Sequence, residues 1–116
     1  MESISFKPIF LFLIAAVLGA FGQYFYKTGA ENASGGIISW ITNYRIIVGV
    51  FCYITIMVLF VVAFRIGAPL TILYPVYATT FIWGLLIGVF LLGEKVGFFN
   101  FLGIALIILG VYLIAK

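Results

Sequence analysis

The sequence predicts an all-α membrane protein of four transmembrane helices. Three observations carry that expectation. Of 116 residues, 66% are hydrophobic and only 8% charged, and the mean hydropathy is +1.38. A soluble domain of this size needs a polar shell that would take up much of its sequence, and nothing here supplies one. Residues 9–26, 46–64, 66–93 and 96–115 hold no Asp, Glu, Lys or Arg. Each run is long enough to cross a hydrocarbon core of about 30 Å at about 1.5 Å per residue. The runs are continuous rather than alternating, which excludes a barrel and leaves helices as the way to satisfy the backbone in lipid.

Taken in order, the helices are expected at about 8–27, 45–64, 70–93 and 98–115, in a single four-helix transmembrane domain. The first run has one early cation, Lys7. It is read as a helix rather than a cleaved leader, because no soluble domain follows it. After Lys27 the residues from Thr28 to Gly36 are small and polar and read as a loop. Residues 37–44 read as an interfacial helical turn, with Trp40 and Tyr44 at headgroup level. Pro69 and Pro75 place a short connector before a third helix beginning near Leu70. Pro75 lacks an N–H and is expected to free a carbonyl near Thr71. The last loop is essentially Gly93-Glu94-Lys95, and loops this short predict adjacent antiparallel helices.

Several function classes are excluded. Cys52 is the only cysteine and there is no histidine, so zinc sites and His-based catalysis have no residues to use. No nucleophile–base pair is evident, so no enzyme and no cofactor are expected. The six cations are spread along the chain without a basic patch, which argues against nucleic acid. Lys7, Arg65 and Lys116 fall on one side of the expected topology, and Lys27, Arg45 and Lys95 on the other. Three against three sets no orientation. Either the chain inserts both ways, as an antiparallel dimer requires, or another subunit fixes it.

Four helices enclose no transport path, so two copies or two paralogues are needed to form a cavity between them. Gly103 and Gly110 lie two turns apart on one face of the last helix and predict a close helix–helix contact, over the alternative that glycines are simply common in membrane helices. Gly19, Gln23 and Lys27 share a face of the first helix. Gln23 is either an interhelical hydrogen-bond partner or part of a polar track. Lys27 is either a snorkelling anchor or the partner of an anionic group such as a phosphate. On the third helix, Tyr77, Thr80, Gly84 and Gly88 share one face, with Thr79 and Trp83 beside it. Hydroxyls, proline and glycine coincide there, which marks a substrate-facing surface over a simple aromatic core. Glu2, Glu31 and Glu94 all fall at ends or in loops. No acid is embedded, so transport down a gradient is expected rather than proton coupling.

The whole chain resembles the small multidrug resistance branch of the drug/metabolite transporter superfamily. The matching features are the four helices, Lys27 closing the first, Pro69 followed by Tyr74, the Gly93-Glu94-Lys95 loop and the Gly103/Gly110 pair, which the resemblance implies belongs to the dimer contact. The last 25 residues also look like the end of EamA-type domains. Drug exporters of this branch keep a glutamate eight residues before the lysine; here that position is Gly19. The chain is more similar to the subunits of the aminoarabinose–undecaprenyl-phosphate flippase, in Gly22-Gln23 with Lys27, a longer first loop, Tyr74-Pro75 with Phe81 and Trp83, and Glu94.

This resemblance implies a flippase of the cytoplasmic (inner) membrane that moves a polyprenyl-phosphate-linked sugar through a cavity between two subunits, as a homodimer or a heterodimer with a paralogue. Lys27, with Arg45 or Arg65, would meet the phosphate. Gln23, Tyr74, Tyr77 and Thr80 would bond sugar hydroxyls, and Trp83 would stack on the sugar. The alternatives are export of a small hydrophilic or cationic drug-like molecule, and an accessory subunit that transports nothing alone.

Overall fold

The computed structural model describes residues 6–115; Glu2 and Lys116, two of the charges counted above, lie outside them. The described residues form six helical elements and no strand: α1 (Phe6–Asn32), α2 (Ile37–Ile41), α3 (Tyr44–Ile66), α4 (Leu70–Tyr77), α5 (Thr80–Phe90) and α6 (Phe98–Ala115). Three spans are long and apolar enough to cross a membrane: Phe6–Asn32, Tyr44–Ile66 and Leu70–Phe90. A shorter apolar helix, Phe98–Ile114, follows. The chain is a helical membrane protein.

α1 runs past Lys27 to Asn32, where the sequence predicts a loop. Local bonds account for the extension. Lys27 and Glu31 pair at 3.0 Å one turn apart, and the Thr28 hydroxyl donates to the Tyr24 carbonyl at 3.0 Å. Asn43 then holds the last turn, its amide donating to the Gly29 carbonyl at 3.3 Å. The same side chain caps α3, accepting from the backbone N–H of Arg45 at 2.9 Å and of Ile46 at 3.2 Å. One asparagine thus ties the end of α1 to the start of α3.

α1 is the centre of the molecule and packs against α3, α4 and α5. It does so through small residues. Ala15, Ala16, Gly19, Ala20, Gly22 and Gly29 are all buried. At Gly22 a Cβ would stand 2.7 Å from the Tyr53 ring, and at Gly49 of α3 it would stand 2.6 Å from the Tyr26 ring. Tyr26 and Tyr53 stack in the space so created, 5.4 Å apart and 4° from parallel. In lipid, where water does not drive apolar faces together, such close approach supplies the association. The other end is filled by aromatics. Phe12 is fully buried with Ala63 and Leu73 and stacks on Phe60 at 4.5 Å.

The third span is not one regular helix. It reads through Pro75 and tightens two residues later, where Thr79 N–H bonds the Val76 carbonyl at 3.1 Å and Phe81 N–H the Ala78 carbonyl at 3.1 Å. These are three-residue bonds in place of four-residue ones. The Thr79 hydroxyl returns to the Val76 carbonyl at 2.8 Å. The break in the helix therefore falls after the proline, between α4 and α5. α5 ends at Phe90 rather than near residue 93, and Gly93 turns the chain at φ 69°.

α6 does not lie along α5 as the short loop predicts. Its main packing is against α4. A gap of about 410 Å³ opens between Phe81 and Leu85 of α5 and Phe99, Gly103, Ile104 and Ile107 of α6. Large apolar side chains all along α6 are exposed, from Phe98 to Ile114. The Cα atoms span 54 × 37 × 18 Å. With helices about 10 Å across, the chain is a slab rather than a square bundle.

Candidate functional site

Gly19 is the fourteenth of the 27 residues of α1, which places it roughly 20 Å from either end at about 1.5 Å per residue. Around this midpoint the polar side chains gather. From α5, the Thr80 hydroxyl donates to the Ala16 carbonyl at 2.8 Å. From α3, the Tyr53 hydroxyl donates to the Gly19 carbonyl at 3.2 Å. From α4, the Tyr77 hydroxyl lies 2.7 Å from where a Cβ on Gly19 would stand. One turn further along α1, the Gln23 amide donates to the Tyr53 hydroxyl at 2.7 Å. Four elements thus bring Gln23, Tyr53, Tyr77 and Thr80 onto one stretch of α1. Gln23 remains exposed at the surface of the chain.

The charges form a second group, one to three turns nearer the membrane face. Lys27 pairs with Glu31, and both are solvent-accessible. Glu94 turns back over α5: its N–H bonds the Gly88 carbonyl at 2.9 Å, and its carboxylate occupies the space beside Gly88, 2.6 Å from where a Cβ would stand. Arg45 reaches the same end. Its guanidinium donates to the Thr28 hydroxyl at 3.2 Å and lies 5.4 Å from the Tyr44 ring centre. Arg65 sits in the last turn of α3, twenty residues and about 30 Å from Arg45. It cannot join Lys27 around one ligand, so the expectation that either arginine would serve narrows to Arg45.

Tyr74, Tyr77 and Thr80 line one groove of about 450 Å³ with Pro75, Ala78, Phe81 and, from the end of α6, Ile114. Tyr74 and Tyr77 are stacked at 6.5 Å, and Tyr77 meets Phe60 edge-on at 5.1 Å. Tyr77 belongs to both groups, its ring in the groove and its hydroxyl against Gly19. Trp83 stands apart. It lines a separate groove of about 290 Å³ with Val17, Phe21, Leu86, Ile87 and Phe90, all apolar.

Gly103 and Gly110 touch nothing that would obstruct a side chain: no atom lies within 4 Å of a Cβ built on either. Within the chain they have no packing role.

Sequence reasoning missed Tyr53. The available signal was a lone phenol inside an apolar run, in the same position as Gln23: a polar group in hydrocarbon that needs a partner. It also missed that Glu31, assigned to a loop, lies on α1 and pairs with Lys27. Among the described residues no cluster of His, Cys, Asp and Glu could hold a metal ion.

Compared with protein-family models, curated proteins and solved structures, the chain matches none.

Proposed function

We propose that the protein is a flippase of the cytoplasmic membrane that passes the headgroup of a polyprenyl-phosphate-linked sugar along a seam between two subunits. The observation that carries this reading is the polar track on α1. Hydrogen-bonding groups around Gly19 and Gln23 sit at mid-span, and Lys27 lies one turn further toward the face. Polar groups at that depth are costly unless they pair with each other or serve a passenger.

A headgroup would meet Lys27 and Arg45 with its phosphate and the Gln23 region with its sugar, while the prenyl chain stayed in lipid. One slab 18 Å thick cannot enclose such a path. A second copy, or a paralogue, would close it. The unobstructed glycines of α6 suit the contact, because small residues let helix backbones approach. The small multidrug resistance resemblance points the same way. With no acid at mid-span, transport would follow the gradient of the lipid.

The test is reconstitution into vesicles containing a short-chain fluorescent prenyl-phosphoryl-glucose, with outer-leaflet fluorescence quenched chemically. Wild-type protein is expected to expose the inner pool and Lys27→Ala to abolish that exposure. Flipping that survives Lys27→Ala would end the phosphate assignment.

One observation favours a second reading. The stacked Tyr74 and Tyr77 rings in the α4–α6 groove suit a cation over their faces. Export of a cationic molecule would then be the activity. Titration with a quaternary ammonium dye and with prenyl phosphate separates the two, since only one should bind below millimolar concentration. A chain that binds neither and flips only beside a paralogue would be an accessory subunit.

A further inference from the structure

Residues 32–44 carry no charge, and α2, in their middle, has no buried residue. Ile37, Ile38, Trp40 and Ile41 are between 55% and 73% exposed. Ile37, Trp40 and Ile41 share a face, at i, i+3 and i+4. The hydroxyls turn back on the backbone instead. Ser39 Oγ stands 2.9 Å from the Gly35 and Gly36 carbonyls, to which it donates, and accepts from the Gly35 N–H at 3.2 Å. The Thr42 hydroxyl donates to the Ile38 carbonyl at 2.7 Å. A turn with its hydroxyls spent on its own backbone and its large side chains outward suits an apolar boundary rather than water.

Its depth follows from Asn43. That side chain bonds the Gly29 carbonyl, and Gly29 lies ten residues beyond Gly19, the midpoint of α1, or about 15 Å along the axis. That is half of a hydrocarbon core of about 30 Å. α2 ends at Ile41, two residues before Asn43, so it is held where acyl chains give way to headgroups. Trp40 and Tyr44 are ring types that favour this level. A second protein fits less well: specific interfaces use about 20 residues a side, against five in α2.

We infer that α2 is a lipid anchor. It lies in the headgroup–acyl boundary with Ile37, Trp40 and Ile41 toward the acyl chains, and Asn43 passes its depth on to Arg45. Asn43 accepts the Arg45 N–H at 2.9 Å, and the Arg45 guanidinium reaches Thr28 at 3.2 Å. Being uncharged, the anchor needs no anionic lipid. The inference goes beyond the flippase reading and is independent of what the protein carries.

The test uses the full chain in phosphatidylcholine vesicles whose acyl chains are brominated near the carbonyl end or near the methyl end. The chain has two tryptophans. Trp83→Phe leaves Trp40 to report the anchor. Trp40→Phe leaves Trp83, which lies beside Val17 and Phe21, as a mid-span reference. Shallow bromines are expected to quench Trp40 at least about twofold more than deep ones, at low and high salt alike, as burial in the boundary would give. Trp83 should show the reverse order. Adding Ile37→Ser and Ile41→Ser to Trp83→Phe should cut lipid quenching of Trp40 to about half, raise quenching by aqueous iodide, and raise hydrogen exchange at residues 43–46.

Trp40 quenched by iodide and by neither lipid overturns the anchor, while Trp83 still reports a spanning chain. So does a Trp40 shielded from iodide and both lipids, as a covering protein would make it. Exchange at 43–46 that the two serines leave unchanged overturns the coupling to Arg45. If Trp83→Phe does not fold, a nitroxide on Ile41→Cys in a Cys52→Ala background reads the same depth: relaxation by oxygen supports the anchor, and relaxation by an aqueous nickel complex overturns it.

Discussion

The hydroxyl of Tyr77 takes the place that a side chain on Gly19 would need, 2.7 Å from the position of its Cβ. Gly19 is buried at the midpoint of α1, and Thr80 Oγ1 stands 3.3 Å from the same point. There is no room for a side chain here, and two hydroxyls fill the space. The packing of α1 against α4 and α5 thus keeps this midpoint a glycine.

The first prediction follows directly. Gly19→Ala should destabilise the protein by about 1–3 kcal/mol, the usual cost of overpacking, measured by unfolding in mixed detergent micelles. Tyr77→Phe removes the clashing oxygen and should recover part of that loss in the double variant. A coupling of about 0.5 kcal/mol or more is expected for residues in direct contact. Strictly additive effects would show that the two positions do not meet.

Asn43 makes a second prediction. It caps α3 through two backbone N–H groups and holds the Gly29 carbonyl of α1. Asn43→Ala should cost about 1–2 kcal/mol, at or above the usual value of a cap. Asn43→Asp retains the acceptor but not the donor to Gly29. It should fall between the two, and hydrogen exchange at residues 29–33 should rise in both variants.

Lys27 is offset by Glu31 at 3.0 Å, so an incoming phosphate competes with a carboxylate. Exposed pairs are weak. Glu31→Gln should therefore strengthen binding of prenyl phosphate a few-fold, and Lys27→Ala should remove most of it at low salt. The difference between wild type and Glu31→Gln should shrink as salt rises and screens the pair. Weaker binding by Glu31→Gln would mean that the acid supports the ligand rather than competing with it.

Gly103 and Gly110 give the sharpest contrast between the chain and the proposed dimer. Nothing in the chain obstructs a side chain at either position. Gly103→Leu and Gly110→Leu should leave unfolding of the monomer within about 0.5 kcal/mol of wild type. Both should lower the dimer fraction sharply in detergent cross-linking. Loss of monomer stability without loss of dimer would place these glycines in an internal contact.

What the sequence revealed and what it hid divide along physical lines. Uncharged runs announced the apolar helices, because hydrocarbon thickness sets their length whatever their neighbours. The extension of α1 to Asn32 was hidden, because Asn43, fourteen residues from Gly29, completes it. The small-residue surface was sought in the last helix, where Gly103 and Gly110 are spaced by two turns. The one that packs this chain is on α1, where buried Ala15, Gly19 and Gly22 follow the three- and four-residue spacing of one helix face, a period present in the sequence but not singled out there. Gln23, Tyr77 and Thr80 were legible as polar groups in an apolar run. Tyr53 carried the same signal, but its partner, the Gly19 carbonyl 34 residues away, was not legible. The spreading of α6 from α5 was equally hidden: in lipid, no hydrophobic force closes a hairpin whose faces are already solvated.

The central claim is that the polar track on α1 becomes a passage when a second copy or a paralogue covers it. Native mass spectrometry of the purified chain, released from mild detergent, tests this most directly. The account predicts a two-subunit species that retains a polyprenyl phosphate, and loss of that lipid in Lys27→Ala with the dimer kept. A lone chain that carries no lipid in wild type, and pairs with no paralogue when one is supplied, would contradict it.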